Sequence, residues 1–447
     1  MSNNPLTVQA NKVVLGIDIG TSKVVAVIGA LNENGKLNII GQGRANCEGV
    51  VSGQVLNIDK TANAINLAVA EAAKTVSVEI DEINISISGP NILSTLHRNG
   101  ITRIEEEDEI SAEDIKRLVD ETFSAVVTPV GYKILHALPQ KYHIDGQAYI
   151  YDPVGRQGAR LEADFNVVSA TMNSILNISK SLKRNDITAD HLYEAGLASA
   201  LAVLLPEEID MGVVLIDMGA GTTEILIFHD KVLRHLSVLP FGGNIITKDI
   251  VEGCNIQEKQ AEAIKQQVGN AIPENTIEGN YIAIPGIKNR ASKEISVRNL
   301  SRIIAARTEE LFEIIDNEIS NSGWADRMGA GIVLTGGCAN MLGLKQLVET
   351  MTGFEVRIGH PNEYLGKSKT EAIKNPAYAT AVGLALAGSM FLDERDKAHN
   401  TAKRASKTAK PKPTPNIASN ATRSFDGIID KVARFLNNDD DKLPDNY

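Results

Sequence analysis

The sequence predicts an α/β protein of two lobes, and three observations carry that prediction. An apolar strand, a Gly-containing turn and a second apolar strand occur twice. Each copy is followed by helices, and a separate α/β block is set into the first half. Residues 14–28 read VLGIDIGTSKVVAVI and residues 213–227 read VVLIDMGAGTTEILI, so each unit carries one Asp, Asp18 or Asp217, inside an apolar strand. An ionised carboxylate is costly to bury there unless something pairs with it, which points to a bound cation. The turns supply what a phosphate needs, because Gly lets backbone amides approach a ligand and successive turn N–H groups form an anion-binding concavity. Thr21, Ser22, Lys23, Thr222 and Thr223 add hydroxyl and ammonium donors. Two such hairpins facing across a cleft would grip a polyphosphate, with Asp18 and Asp217 holding a hydrated Mg²⁺ between them. A single copy would read as an ordinary β-hairpin; two copies with the same Asp-to-Gly offset favour a nucleotide clamp.

Composition narrows the function classes. A chain of 447 residues, 43% of them hydrophobic, can build two or more domains with real cores. A net charge of −11 argues against a nucleic-acid partner, because no broad basic surface is available to displace counterions. The polar start, residues 1–12, lacks the apolar core of a secretory signal, so a cytoplasmic location is expected. Cys47, Cys254 and Cys338 stand apart without CxxC spacing and read as reduced thiols. The apolar run 377–392 is short of a membrane span and rich in Ala and Gly, which suits a buried, closely packed helix.

Strands are expected at 13–19, 24–30 and 37–41, then a helix over 59–75 with Ala62, Ile65, Val69 and Ala72 on one face. A distinct block, 84–164, opens on the alternation Ile83, Ile85, Ile87. It holds a helix capped by Ser111 and a strand over 134–142. Further elements are a strand at 166–171, helices at 174–185 and 191–205, a helical region at 247–268, a long helix at 296–320 and a strand at 331–337 ending in Gly336-Gly337. Paired glycines there let a flat base or ribose lie against backbone, and Asn340 can cap the following helix. Glu262 and Lys265 share a helix face at i, i+3; read alone they are a surface ion pair, and with Gly336-Gly337 they could sandwich an adenosine.

In this order the twin hairpins, the Gly336-Gly337 element and the helices at 191–205 and 376–392 resemble the actin, sugar kinase and DnaK-type ATPase superfamily. More narrowly the chain is similar to the FtsA family of bacterial cell-division proteins. The carriers are YDPVG at 151–155 with RLEA at 160–163, AGLAS at 195–199, LPFGGNIITKDI at 239–250, and a terminal amphipathic segment after a linker. The resemblance implies an actin-like ATPase fold, two lobes each with a mixed five-stranded sheet and helices, with a small α/β insertion subdomain in the first lobe. The first-lobe core would be 12–83, 165–205 and 371–392, and the insertion 84–164. The second-lobe core would be 206–229 and 301–370, with its small subdomain at 230–300.

The resemblance also implies ATP with Mg²⁺ between the lobes, head-to-tail polymers of the chain itself, and capture of the FtsZ C-terminal tail by the small subdomain. Gly20, Thr21 and Ser22 with Gly219, Ala220, Gly221 and Thr222 would meet phosphate. Glu262, Lys265, Gly336, Gly337 and Asn340 would line the nucleoside side. Arg298 and Arg302 are the implied contacts for the acidic FtsZ tail; as sequence alone they are a solvated helix face. Relatives orient water with a Gln or Glu at the start of the helix that follows the first lobe. Here Ala195 holds that register and Glu194 is one position off, so ATP binding with at most slow turnover is expected, and no catalytic residue is assigned.

After residue 392 the composition turns basic and polar, and 393–424 reads as a disordered linker. In the segment 425–437, Phe425, Ile428, Ile429, Val432, Phe435 and Leu436 form one apolar stripe, opposite Asp426, Asp430, Lys431 and Arg434. Too short to span a bilayer, it can lie in the interface while the linker meets anionic lipids; docking on a partner or on the chain's own core is the competing reading. The expected function is therefore an actin-like adaptor at the cytoplasmic face of the membrane, at the division septum, where it tethers FtsZ and recruits other division proteins. The alternatives are a pilus-assembly adaptor of the same superfamily and a small-molecule kinase. A DnaK-type chaperone would need a β-rich domain after residue 392.

Overall fold

A computed structural model describes residues 12–407 apart from positions 33, 75, 77, 104–107, 287–290 and 369–370. The chain opens with β1 (Val13–Ile19), β2 (Lys23–Leu31) and β3 (Leu37–Asn46), an antiparallel meander whose first two strands are buried on both faces. A two-residue hairpin, β4 (Val50–Val51) and β5 (Gln54–Val55), leads into α1 (Ile58–Ala73), whose first turn is capped by Asn57. β6 (Glu82–Ile87) then returns parallel to β1.

The inserted unit comprises β7 (Ile92–Thr102), α2 (Ala112–Ala125), β8 (Tyr132–Ile144), β9 (Gln147–Ile150) and β10 (Arg160–Thr171). Its antiparallel sheet, in the order β7-β10-β8-β9, has its own core of Ile101, Leu118, Val119, Leu161 and Phe165 beneath α2. Ser111 and Asp114 form a capping box at the start of α2. Two boundaries shift from the expected 84–164. Residues 84–87 belong to β6 in the first-lobe sheet, because their alternation buries Ile85 and Ile87 against that lobe, and β10 runs on to Thr171.

α3 (Met172–Lys183) and β11 (His191–Glu194) restore the first lobe, followed by α4 (Ala195–Val203) and α5 (Pro206–Met211). The helix expected over 191–205 therefore begins only at Ala195. His191–Glu194 instead pairs parallel with β6, satisfying its backbone at the sheet edge. The second lobe is built on β12 (Val213–Met218), β13 (Thr223–His229) and β14 (Val232–Leu239), then α6 (Gly243–Cys254) and α7 (Glu258–Val268). A small hairpin, β15 (Tyr281–Ile284) and β16 (Lys293–Ser296), precedes α8 (Val297–Asn321). β17 (Ile332–Thr335), α9 (Leu344–Thr352) and β18 (Val356–Ile358) complete the lobe.

β19 (Leu365–Ser368) crosses back to pair with β3, and α10 (Ala379–Lys407) closes the fold. The second-lobe sheet, β14-β13-β12-β17-β18, is mixed and five-stranded. The first, β11-β6-β1-β2-β3-β19, carries a sixth strand because β19 adds to its edge. Strand β14 thus lies in the second-lobe sheet rather than in the small subdomain, and β19 in the first lobe rather than the second.

The linker expectation is corrected as well, since α10 continues through residues 393–407. That stretch has no Gly or Pro and is rich in Ala, Lys and Arg. Extending an existing helix also avoids the cost of nucleation. Residues 408–447, including the rest of the linker and the stripe at 425–437, lie outside the described residues. Among the described residues no helix is long and apolar enough to cross a membrane.

Close packing explains the Ala- and Gly-rich run at 377–392. A Cβ on Gly16 would sit 2.8 Å from the carbonyl oxygen of Ala381, and one on Gly383 would sit 1.7 Å from that of Ala198, so α10 lies directly on β1 and on α4. A Gly383→Val substitution should accordingly cost about 3 kcal/mol or more, at the upper end of overpacking, and lower the thermal midpoint by several degrees. An unchanged melting curve would show that the two helices separate without penalty.

Candidate nucleotide site

The two sequence-repeated turns have the same geometry. In the first the amide of Gly20 bonds the carbonyl of Lys23 at 3.0 Å, and in the second Gly219 bonds Thr222 at 2.9 Å. Each Asp sits near the end of its strand beside a parallel neighbour. Ser86 of β6 donates to Asp18 at 2.9 Å while accepting from the amide of Ile19. Asp217 lies opposite Thr335 of β17 and accepts from Ser199 and, at 3.5 Å, from Thr380. The turns meet across the lobes, for a Cβ on Gly221 would lie 2.6 Å from the hydroxyl of Thr21. Gly336, at φ 84°, is required where it stands, because a Cβ would fall 2.4 Å from a carboxylate oxygen of Asp217.

Together they enclose a chamber of about 70 Å³ lined by Asp18, Gly20, Thr21, Ser22, Lys23, Asp217, Gly219, Ala220, Gly221, Thr222, Gly336 and Gly337. Beside it lies a wider cavity of about 490 Å³, sharing Ser22, Lys23, Gly219, Ala220 and Gly337, and walled by Arg44, Gly243, Glu262, Lys265, Asn340 and Tyr378. That volume is in the range of small-molecule sites. Lys265 is buried there and bonds Glu262 at 2.7 Å, the carbonyl of Gly243 at 2.9 Å and Thr247 at 2.7 Å. The pair read from sequence as a surface ion pair is therefore a structured wall. Burial opposes ionisation of Glu262, yet the Lys265 ammonium and its hydrogen bonds hold the carboxyl below its ordinary range.

Two sequence expectations change. The hydroxyl of Thr223 donates to the carbonyl of Phe241 at 2.8 Å, and Thr223 does not line the chamber, because the strand alternation buries it. Asn340 does not cap α9, whose cap position is Gly343. Its amide pairs reciprocally with Asn375 at 3.0 and 2.9 Å on the cavity wall. Arg298 and Arg302 stand in the first turns of α8, outside both cavities. Arg298 pairs with Glu278 at 3.5 Å and its Nε is buried without a partner.

Sequence reasoning missed Glu224, Ser86, Ser88, Gly53 and Thr380, all of which line the chamber. Glu224 bore the same signal as the two Asp residues, a carboxylate inside an apolar strand, and it accepts from Ser88 across the lobe boundary. Glu194 is buried too, but its Oε2 caps α4 by accepting from the amide of Leu197 at 2.9 Å, while Ala195 faces the chamber.

The electrostatics favour an added cation. Burial raises the carboxyls of Asp18, Asp217 and Glu224, taking Asp217 to about 6, and burial pulls the Lys23 ammonium down although Asp18 and Asp217 oppose it. Among the described residues no group of three His, Cys, Asp or Glu could hold a metal ion directly. Asp18 and Asp217 are the residues of this chamber that could hold a hydrated cation through water.

Comparisons place this arrangement. A sequence profile described as "Cell division protein FtsA" matches residues 214–383, and one described as "SHS2 domain inserted in FTSA" matches residues 91–169, the inserted unit. The Cell division protein FtsA of Pseudomonas aeruginosa is 37% identical over 382 residues, covering 86% of this chain and 90% of that protein. The chain belongs to the FtsA family of cell-division proteins. The FtsA of Neisseria meningitidis is also 37% identical, over 84% of the chain and 90% of its own length. Among solved structures the PilM-PilN type IV pilus biogenesis complex aligns at TM-score 0.58 and 17% identity, over 84% of this chain and 98% of that one. The FtsA-family chain has the actin-like ATPase fold.

Burial raises Glu194 to about 7, against the amides of Gly196 and Leu197 that lower it. An acid whose folded pKa exceeds its unfolded value near 4.5 binds the extra proton in the native state. Its contribution is fully present below pH 4.5 and is lost as pH rises through about 7. Glu194→Gln, which keeps an acceptor for the α4 cap, should flatten the fall in thermal midpoint across that window. Superimposable pH profiles for the two proteins would contradict this.

Proposed function

We propose that this FtsA-family protein binds Mg-ATP between its lobes, polymerises at the cytoplasmic face of the membrane at the septum, and tethers FtsZ there through the C-terminal amphipathic segment. The observation that carries the reading is the convergence of two identically closed Asp-Gly turns, one from each lobe, on a single chamber. Backbone amides of Thr21, Ser22, Gly221 and Thr222, with Lys23, would hold the phosphates on turns that the Gly20 and Gly219 amides close, and Asp18 and Asp217 would hold the hydrated Mg²⁺. The adjoining cavity, with Glu262, Lys265 and Gly337, would hold the adenosine, while Gly336 stands in the chamber beside it. Bound Mg-ATP would supply the positive and negative charges that complete this site and hold the lobes together. With Ala195 facing the chamber and Glu194 engaged as a helix cap, slow turnover at most is the supported chemistry.

The family membership favours division over pilus assembly, and a detachable apolar stripe has no use in a small-molecule kinase. Arg298 and Arg302, at i, i+4 on α8, suit an acidic peptide such as the FtsZ tail. One tail should hold a bilayer weakly, because partial burial of six large apolar side chains is offset by helix formation. A polymer presenting many tails gains avidity. Filament formation and attachment would then reinforce each other.

Calorimetric titration with Mg-ATP tests the site: Asp217→Asn or Lys23→Ala should weaken binding at least about tenfold, a loss of about 1.4 kcal/mol. Heat of binding equal to that of the parent protein would remove the clamp reading. Co-sedimentation with anionic vesicles tests the tether: Val432→Glu should reduce lipid recruitment of FtsZ while leaving ATP affinity unchanged. Undiminished recruitment would assign the stripe to another role.

A further inference from the structure

A second concavity lies between the inserted unit and the second lobe, with a volume of about 440 Å³. Its floor is apolar and buried, formed by Leu138 of β8, Leu197 of α4, Phe228 of β13 and Leu233 of β14. Tyr142, only 6% exposed, lines it with a hydroxyl that has no hydrogen-bond partner. Such a group is costly to leave unpaired. The rim carries Asp152, Asp210 and Asp230, with Asp210 paired to Lys231 at 3.5 Å and Asp230 to Arg234 at 3.3 Å, so an occupant's basic side chains would meet a polar, acid-bearing rim around an apolar floor. Tyr151 and Val232 border the mouth and are at least partly exposed.

One segment of this chain has that chemistry. The stripe at 425–436 combines Phe425, Ile428, Ile429, Val432, Phe435 and Leu436 with Lys431 and Arg434, and it follows a stretch containing Lys410, Lys412 and Arg423. The route is short. On α10, Phe391 packs edge-on against His191 at 4.8 Å, and His191 lies 6.2 Å from Tyr193. Tyr193 stacks on His136 at 5.8 Å, and His136 stands two residues before Leu138 on the strand that walls the groove. From Phe391 the helix runs about 24 Å further to Lys407, and residues 408–424 fully extended reach about 56 Å, enough to come back.

We propose that in the absence of a membrane the segment 425–436 of the chain docks its apolar stripe into this groove, so that one surface masks the membrane device until lipid competes for it. The inference rests on the tether reading above and adds a regulatory partner, the chain's own core. Free tail is then a minor fraction. If the stripe is docked three quarters of the time, apparent vesicle affinity is about fourfold below that of the released tail.

The test uses the full chain with a photo-crosslinking amino acid at position 435. Illuminated without lipid, it should form a crosslink within one chain to residues 132–144 or 228–233, and vesicles of phosphatidylglycerol and phosphatidylethanolamine should abolish it. Neutral substitutions at the mouth, Tyr151→Gln with Val232→Gln, should remove the crosslink and raise vesicle co-sedimentation about fourfold, with the thermal midpoint verifying the fold. Crosslinks elsewhere, crosslinks only between chains, or none would overturn the proposal, and so would vesicle binding unaffected by the mouth variant. Vesicle binding with no groove crosslink leaves the tether reading standing and this inference refuted. A groove crosslink with no vesicle binding does the reverse.

Discussion

A buried carboxylate, Asp217, and a partly buried one, Asp18, facing each other across an interlobe cleft are the constraint to which the rest of this structure answers. Asp18 and Asp217 each end an apolar strand, and each is held by a hydroxyl from a neighbouring element, Ser86 or Ser199. Hydrogen bonds orient these acids but do not neutralise them, and burial keeps both carboxyls above their ordinary range. Lys23 meets part of the demand. A cleft built this way is electrostatically incomplete, and the proposed ligand is the species that completes it.

Holding the acids in register requires the helices to come very near the sheets, and the small residues of the chain are spent there. Gly43 lies against the carbonyl of Ala68 in α1, Gly16 against α10, and Gly383 against α4. Larger residues at these points would move the helices outward, carrying Thr380 and Ser199 away from Asp217. Packing in the first lobe and electrostatics in the cleft are therefore one problem. The inserted unit keeps a core of its own, yet Leu135 and Leu138 on β8 also join the apolar cluster that holds Leu233, Leu236 and Val238 of the second lobe, and Tyr151 reaches Asp230 at 3.4 Å.

Much of this was legible in the sequence because the decisive signal was a contradiction, charge inside apolar strands, repeated with the same spacing. The chamber-lining glycines, Lys23 and the cavity wall at Glu262 and Lys265 follow from that reading and from the resemblance it led to. What stayed hidden depended on partners distant in sequence. His191–Glu194 looks helical until β6 offers it an edge, Asn340 looks like a cap until Asn375 is beside it, and Ser88 gains meaning only opposite Glu224. The linker was misread for a different reason. Composition alone registers polarity, whereas residues 393–407 inherit the helix already formed at Ala379.

That inheritance joins two places otherwise far apart. α10 begins at Ala379, beside Thr380, which touches Asp217, and ends at Lys407, so one unbroken rod of about 44 Å connects the cleft to the root of the tail. A rod of that length is a lever: a tilt of about 10° at the cleft would sweep its far end through about 8 Å. Opening or closing the lobes would thus be felt as displacement where the tail departs, with no separate messenger between them.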